Sequence, residues 1–121
     1  MKREFVMTEW FDASWKDQNL SDEELKSLQY ELLQDPVCGD VIRGTGGFRK
    51  MRFALPGHGK SGGMRVIYLD IPNAGMLYLL LAYPKSEKDT LSQIECNELK
   101  QISANIKKNH QGRNGEGDHH E

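Results

Sequence analysis

Two apolar runs joined by a four-residue turn constrain this chain more than any other feature. Residues 65–71 (Arg-Val-Ile-Tyr-Leu-Asp-Ile) and 76–83 (Met-Leu-Tyr-Leu-Leu-Leu-Ala-Tyr) have strand length and are apolar at both alternating sets of positions. That pattern belongs to central strands covered on both faces. Pro72-Asn73-Ala74-Gly75 between them is a turn of hairpin length. A hairpin buried on both sides requires layers above and below it, and the rest of the chain must supply them.

The flanking segments fit that requirement. Residues 48–55 read as a third strand, with Arg49, Met51, Phe53 and Leu55 on one face and Phe48, Lys50, Arg52 and Ala54 on the other. Residues 4–7 suit a short strand, and Thr8 can cap a helix over 9–17 that offers Trp10, Phe11 and Trp15 for burial. Ser21-Asp22-Glu23-Glu24 spells a capping box, followed by an apolar stripe of Leu25, Leu28, Leu32 and Leu33 that Asp35-Pro36 ends. Residues 39–47 read as a glycine-bearing loop. A last helix over about 89–108 places Leu91, Ile94, Leu99, Ile102 and Ile106 within one broad stripe. The order is β-α-α-β-β-β-α. It predicts an α+β domain over residues 1–108: a small antiparallel meander, two N-terminal helices and one C-terminal helix. Residues 109–121 contain no apolar side chain and are expected to form an unordered tail.

Charge is distributed unevenly. The net charge of −2 hides four basic and ten acidic residues in 1–40, then six basic and no acidic residues from Arg43 to Arg65. A cationic block in an otherwise acidic chain suits an anionic ligand such as phosphate, and the structural alternative is a solvated strand face. Cys38 and Cys96 have no CxxC spacing, which argues against a disulfide framework and a zinc site. No apolar run reaches membrane-spanning length and no signal-peptide pattern opens the chain, so a cytosolic protein without a membrane partner is expected.

Residues 54–61 nearly spell the nucleotide-binding phosphate loop, with Ala54 at the first glycine position. In that motif a helix follows and its first amides hold the phosphates. Here Gly62-Gly63 and a β-branched strand follow, so nucleotide hydrolysis is rejected. What remains is a glycine-rich loop carrying His58 and Lys60 that leads into Arg65 at the head of a strand.

The segment Asp40-Val41-Ile42-Arg43-Gly44-Thr45-Gly46-Gly47-Phe48-Arg49-Lys50-Met51-Arg52, followed by Gly-x-Gly-Lys-x-Gly-Gly-x-Arg65-Val66-Ile67-Tyr68, resembles the HigB-type toxins of the RelE/ParE superfamily. Tyr83-Pro84-Lys85-Ser86-Glu87 resembles their Tyr-x-Lys-x-Glu segment. The resemblance covers most of residues 21–106. It implies a RelE-like fold and the toxin of a toxin–antitoxin pair that enters the ribosomal A site, cuts messenger RNA without metal or cofactor, and is silenced by a HigA-like helix-turn-helix antitoxin. It also implies that Arg65 acts on the scissile phosphate, with Lys60 and Tyr83 as its catalytic companions. Arg49, Lys50, Arg52, His58 and Lys85 would bind substrate. Ser86 stands where RelE itself has an arginine.

Those residue types suit the chemistry. Attack of a ribose 2′-hydroxyl on the adjacent phosphorus needs one proton taken, one returned, and the phosphorane charge stabilised. A guanidinium of fixed charge suits the last task, and this is the role expected of Arg65. Lys60 can neutralise a non-bridging oxygen or act as base, and Tyr83 or His58 can carry a proton. The structural reading of Arg65 is an ion pair with Asp70 or a helix carboxylate. The functional rivals are a non-catalytic module holding nucleic acid or an acidic partner segment on the same basic sheet, and a gyrase-directed ParE-like toxin.

Overall fold

The computed structural model describes residues 2–55, 63–87 and 90–119. Strand β1 is Glu4–Met7, helix α1 Glu9–Asp17 and helix α2 Asp22–Gln34. Strands β2 (Asp40–Val41), β3 (Arg49–Phe53), β4 (Met64–Ile71) and β5 (Met76–Pro84) follow, and helix α3 runs Gln93–His119. The sheet order is β1-β5-β4-β3-β2. The expected meander therefore forms the centre of a five-stranded mixed sheet, with β1 added parallel to β5 and β2 added antiparallel to β3. Strand β2 lies within the segment read as a loop; two residues carry too little periodicity to register as a strand.

Local chemistry sets the starts of α1 and α2 as the sequence predicts. The Thr8 hydroxyl accepts the Phe11 amide at 3.1 Å. Ser21 and Glu24 form the reciprocal capping box, 3.1 Å from Glu24 N to Ser21 Oγ and 2.8 Å from Ser21 N to Glu24 Oε1. Ser92 and Glu95 make the same reciprocal pair ahead of α3, at 3.1 and 2.9 Å. That cap fixes the start of α3 near Gln93 rather than residue 89. Its helical backbone continues past Lys108 to His119.

One sheet face carries Met51, Phe53, Met64, Val66, Tyr68, Leu77, Leu79 and Ala82, covered by Phe11 and Trp15 of α1 and Leu28 and Leu32 of α2. The other carries Phe48, Ile67, Leu69, Leu80 and Tyr83, covered by Leu99, Ile102 and Ile106 of α3. Each such fully buried side chain contributes roughly 1.5–3 kcal/mol, so the two-sided pattern of β4 and β5 is what holds the three layers together.

Two apolar residues expected inside lie outside. Trp10 is 56% exposed and Ile94 71% exposed. Phe11 and Trp15, one helical turn apart, take the buried face of α1 and leave Trp10 about 100° away. Ile94 falls roughly 140° from Leu99 at 3.6 residues per turn, outside the stripe of α3. Asp70, the partner the sequence offers Arg65, is instead held at 8% side-chain exposure in an ion pair with Arg3, at 2.7 and 3.1 Å. This contact raises the arginine's pKa above its ordinary value.

Candidate functional site

Strand register decides which cations meet. In the β3–β4 ladder Arg52 is opposite Arg65 and Lys50 is opposite Ile67; in the β4–β5 ladder Tyr83 is opposite Arg65. Directly opposed residues share a face. Arg52, Arg65 and Tyr83 thus form one row across three strands, with Lys50 one step along on the same face. That face is the one α3 covers through Ile67 and Leu69.

A β-bulge sets the row. Between Met76 and Leu79 the partner numbers in β4 and β5 sum to 147, and from Leu81 onward they sum to 148. Leu80 is the extra residue, and were the same sequence paired without the bulge, Ala82 would stand opposite Arg65. The bulge is held by Thr8, whose hydroxyl lies 3.0 Å from the Leu79 carbonyl and 3.3 Å from that of Leu80.

Arg65 is 6% exposed. Among the described residues its side chain makes no hydrogen bond or ion pair, and Asp70, its structural alternative, is engaged by Arg3. Arg65, Arg52 and Lys50 line an open hollow of about 500 Å³ whose other described lining residues are Glu31, Cys38, Asp40 and Met51. An arginine directly opposite another arginine is unfavourable on its own, and an anion between the two guanidinium groups reverses that sign. Tyr83 is equally shielded, 6% exposed with its hydroxyl buried. The arrangement can therefore grip a phosphate while excluding much of the water that would screen it.

The expected site residues divide. The structure brings Arg65, Tyr83, Arg52 and Lys50 to one face. Arg49 faces the other way: its guanidinium donates to the Gly39 carbonyl at 2.7 Å and to that of Val37 at 3.5 Å, stapling the α2–β2 turn. Alternation along β3 dictates the split, since neighbouring residues in a strand point to opposite faces. Lys85 is exposed in the turn after β5. His58 and Lys60 lie outside the described residues.

Sequence reasoning missed Tyr68, Glu31, Cys38 and Asp40. Tyr68 is fully buried, donates to the Pro36 carbonyl at 2.8 Å and accepts the Gly39 amide at 3.0 Å. Burial pushes its phenol well above the usual tyrosine value. It fixes the turn from which Cys38 and Asp40 reach the hollow. Burial likewise raises the carboxyl of Glu31 and the thiol of Cys38. A polar tyrosine in an apolar strand was the one available signal, since a buried hydroxyl usually finds a partner.

A family profile described as the RelE toxin of the RelE / RelB toxin-antitoxin system matches residues 3–114. Among solved structures, the chain is similar to an arginine-to-alanine double mutant of the E. coli toxin RelE in the free state, with a TM-score of 0.51 and 19% identity over 74% of this chain and 90% of that one. At that identity the likeness establishes the fold.

Proposed function

The chain belongs to the RelE toxin family, and from that premise we propose that it is a HigB-type toxin that enters the ribosomal A site and cuts messenger RNA there. The observation that carries this reading is Arg65: nearly buried, without a partner among the described residues, opposite Arg52 and open to the hollow. A buried guanidinium without a counter-charge is costly unless a ligand supplies one, and a phosphodiester does so in a geometry the planar fork matches.

In the proposed reaction the 2′-oxygen bonds to phosphorus and the bond from phosphorus to the 5′-oxygen breaks, leaving a 2′,3′-cyclic phosphate and a 5′-hydroxyl. The 2′-hydroxyl proton passes to a base and the departing 5′-oxygen receives one. Arg65 and Arg52 stabilise the charge that grows on the non-bridging oxygens. Tyr83, beside Arg65, and Lys60, five residues earlier in the sequence, are the proposed proton carriers. The reaction needs no metal in this scheme. Lys50, His58 and Lys85 hold flanking phosphates, and Arg49 contributes through the turn it staples. Placement of the messenger by the ribosome would supply much of the rate, since proximity alone lowers barriers by several kcal/mol. A HigA-like helix-turn-helix antitoxin is the proposed silencing partner, in the cytoplasm.

The test is primer extension on messenger from cells expressing wild type and Arg65→Ala. Wild type should leave defined 5′ ends and arrest growth; the variant, equally abundant and folded, should do neither. Undiminished cutting by Arg65→Ala would remove the mechanism. Absence of cutting by both, with wild type still binding RNA, would favour a binding module instead.

A further inference from the structure

Strand β1 accompanies β5 only as far as Leu79, which stands opposite Met7. From Leu80 to Pro84 the edge of β5 away from β4 has no strand beside it among the described residues. Helix α1 takes that place. Its Ser14 hydroxyl accepts the Ala82 amide at 3.0 Å and donates to the Phe11 carbonyl of its own helix at 2.9 Å. A hydroxyl has one proton to give and two lone pairs to offer, so the bond to Phe11 spends the proton and leaves the lone pairs for the strand. Backbone groups of successive strand residues point to opposite edges. With the Ala82 amide turned towards α1, the amide and carbonyl of Tyr83 turn towards β4, where the opposite residue is Arg65. Pro84, next along the outer edge, has no N–H to tie down. Ala82 is 1% exposed, so its amide depends on this partner.

We propose that Ser14 is a positioning residue for Tyr83: by holding the Ala82 amide against α1 it fixes the end of β5 from its open edge, and with it the phenol beside Arg65. The inference rests on the nuclease reading above, in which Tyr83 carries a proton, and adds α1 to the elements that place it. This stretch of β5 needs the hold. The bulge at Leu80 interrupts the ladder just before the site, and the strand ends at Pro84, one residue after Tyr83. A strand end bordered on one side only opens more readily than a central one. A proton carrier must lie within hydrogen-bond reach of its oxygen, so a shift on the order of 1 Å is felt in the rate. Binding is spared, because the cations of the row lie on β3 and β4. Helix propensity does not account for a serine here, since alanine is the better helix former.

The experiment is a double-mutant cycle in a cell-free translation reaction, with cutting rates read by primer extension at rising concentrations of purified protein. Wild type, Ser14→Ala, Tyr83→Phe, the double variant and Arg65→Ala are compared, each corrected for its folded fraction by circular dichroism. Ser14→Ala is expected to lower the maximal rate by about 10- to 100-fold and to leave the concentration at half-maximal rate unchanged. Ser14→Thr, which keeps the hydroxyl, should recover the rate. In the Tyr83→Phe background the same alanine substitution should cost less than about 2-fold, because residues acting through one group are not additive. Should Ser14→Ala fail to fold, Ser14→Cys, of similar size and a weak acceptor, takes its place in the cycle. An equal loss in both backgrounds, no loss in either, or full activity of Tyr83→Phe would overturn the proposal, while cutting that still needs Arg65 leaves the nuclease reading in place. Cutting that does not need Arg65, or no cutting by wild type, would overturn both.

Discussion

Tyr83 faces Arg65 across the β4–β5 ladder because β5 holds one residue more than β4 between the turn and the site. Leu80 is that residue, and Thr8 ties its carbonyl and that of Leu79 to the start of α1. The N-cap of a helix on one side of the sheet thus sets a register that is used on the other. A bulge next to a reactive group re-aims a side chain at the cost of one ladder bond.

Thr8→Val keeps the shape of that side chain and removes its hydroxyl. Loss of the cap alone should lower stability by about 1 kcal/mol. Cleavage should fall further than that loss explains, because the Leu80 carbonyl loses its donor and that of Leu79 keeps only the Thr8 backbone amide, at 3.2 Å. Thr8→Ser should restore both. Chemical denaturation paired with primer extension checks this, and a variant as unstable as expected but fully active would show that the bulge holds without Thr8.

Arg52 and Arg65 oppose each other with like charge and have no counter-ion among the described residues. Arg52→Ala should therefore stabilise the free protein, by a few tenths to about 1 kcal/mol, and at the same time weaken messenger cleavage. The gain should shrink in high salt, where the repulsion is screened. Thermal melts at low and high ionic strength decide it; a lower melting temperature in the variant would mean the pair is not repulsive.

Tyr68→Phe leaves the Gly39 amide and the Pro36 carbonyl without their partner. Stranding buried polar groups costs about 1–3 kcal/mol. A pH effect accompanies it. The folded phenol ionises above the ordinary tyrosine value, so the unfolded chain gives up this proton first as pH rises. The contribution is complete below about pH 10, the unperturbed value, and is lost progressively above it. Urea unfolding at pH 8 and pH 10.5 should show a steeper alkaline loss for wild type than for Tyr68→Phe, and equal losses would contradict the linkage.

Gly46 adopts φ +76°, and a Cβ there would lie 2.8 Å from the Ser103 hydroxyl of α3. Its carbonyl accepts both Ser103 Oγ at 2.6 Å and Lys107 Nζ at 2.7 Å. Gly46→Ala should cost about 1–3 kcal/mol through left-handed backbone strain, and should also loosen α3. Hydrogen exchange at the amides of Leu99, Ile102 and Ser103 should accelerate more than at those of Leu28 and Leu32, which pack on the opposite face. Uniform acceleration would show that the loop does not clasp the helix.

What a short window of sequence contains, it determined. The capping box at Ser21, the Thr8 cap, and the double-sided apolar runs of β4 and β5 involve neighbours within a few residues, so their physics is local. The segregation of cations into residues 43–65 was equally legible, as was the RelE-like arrangement of elements. Tertiary structure alone decided the site. Whether Arg49 or Arg52 joins Arg65 depends on which face of β3 meets which face of β4, and whether Tyr83 or Ala82 does so depends on one bulged residue. Asp70 meets Arg3, and Glu31 meets the hollow, across chain separations that no periodicity records. Those contacts follow from the packing of layers, where burying one face of each element leaves a single register at which polar groups are also satisfied.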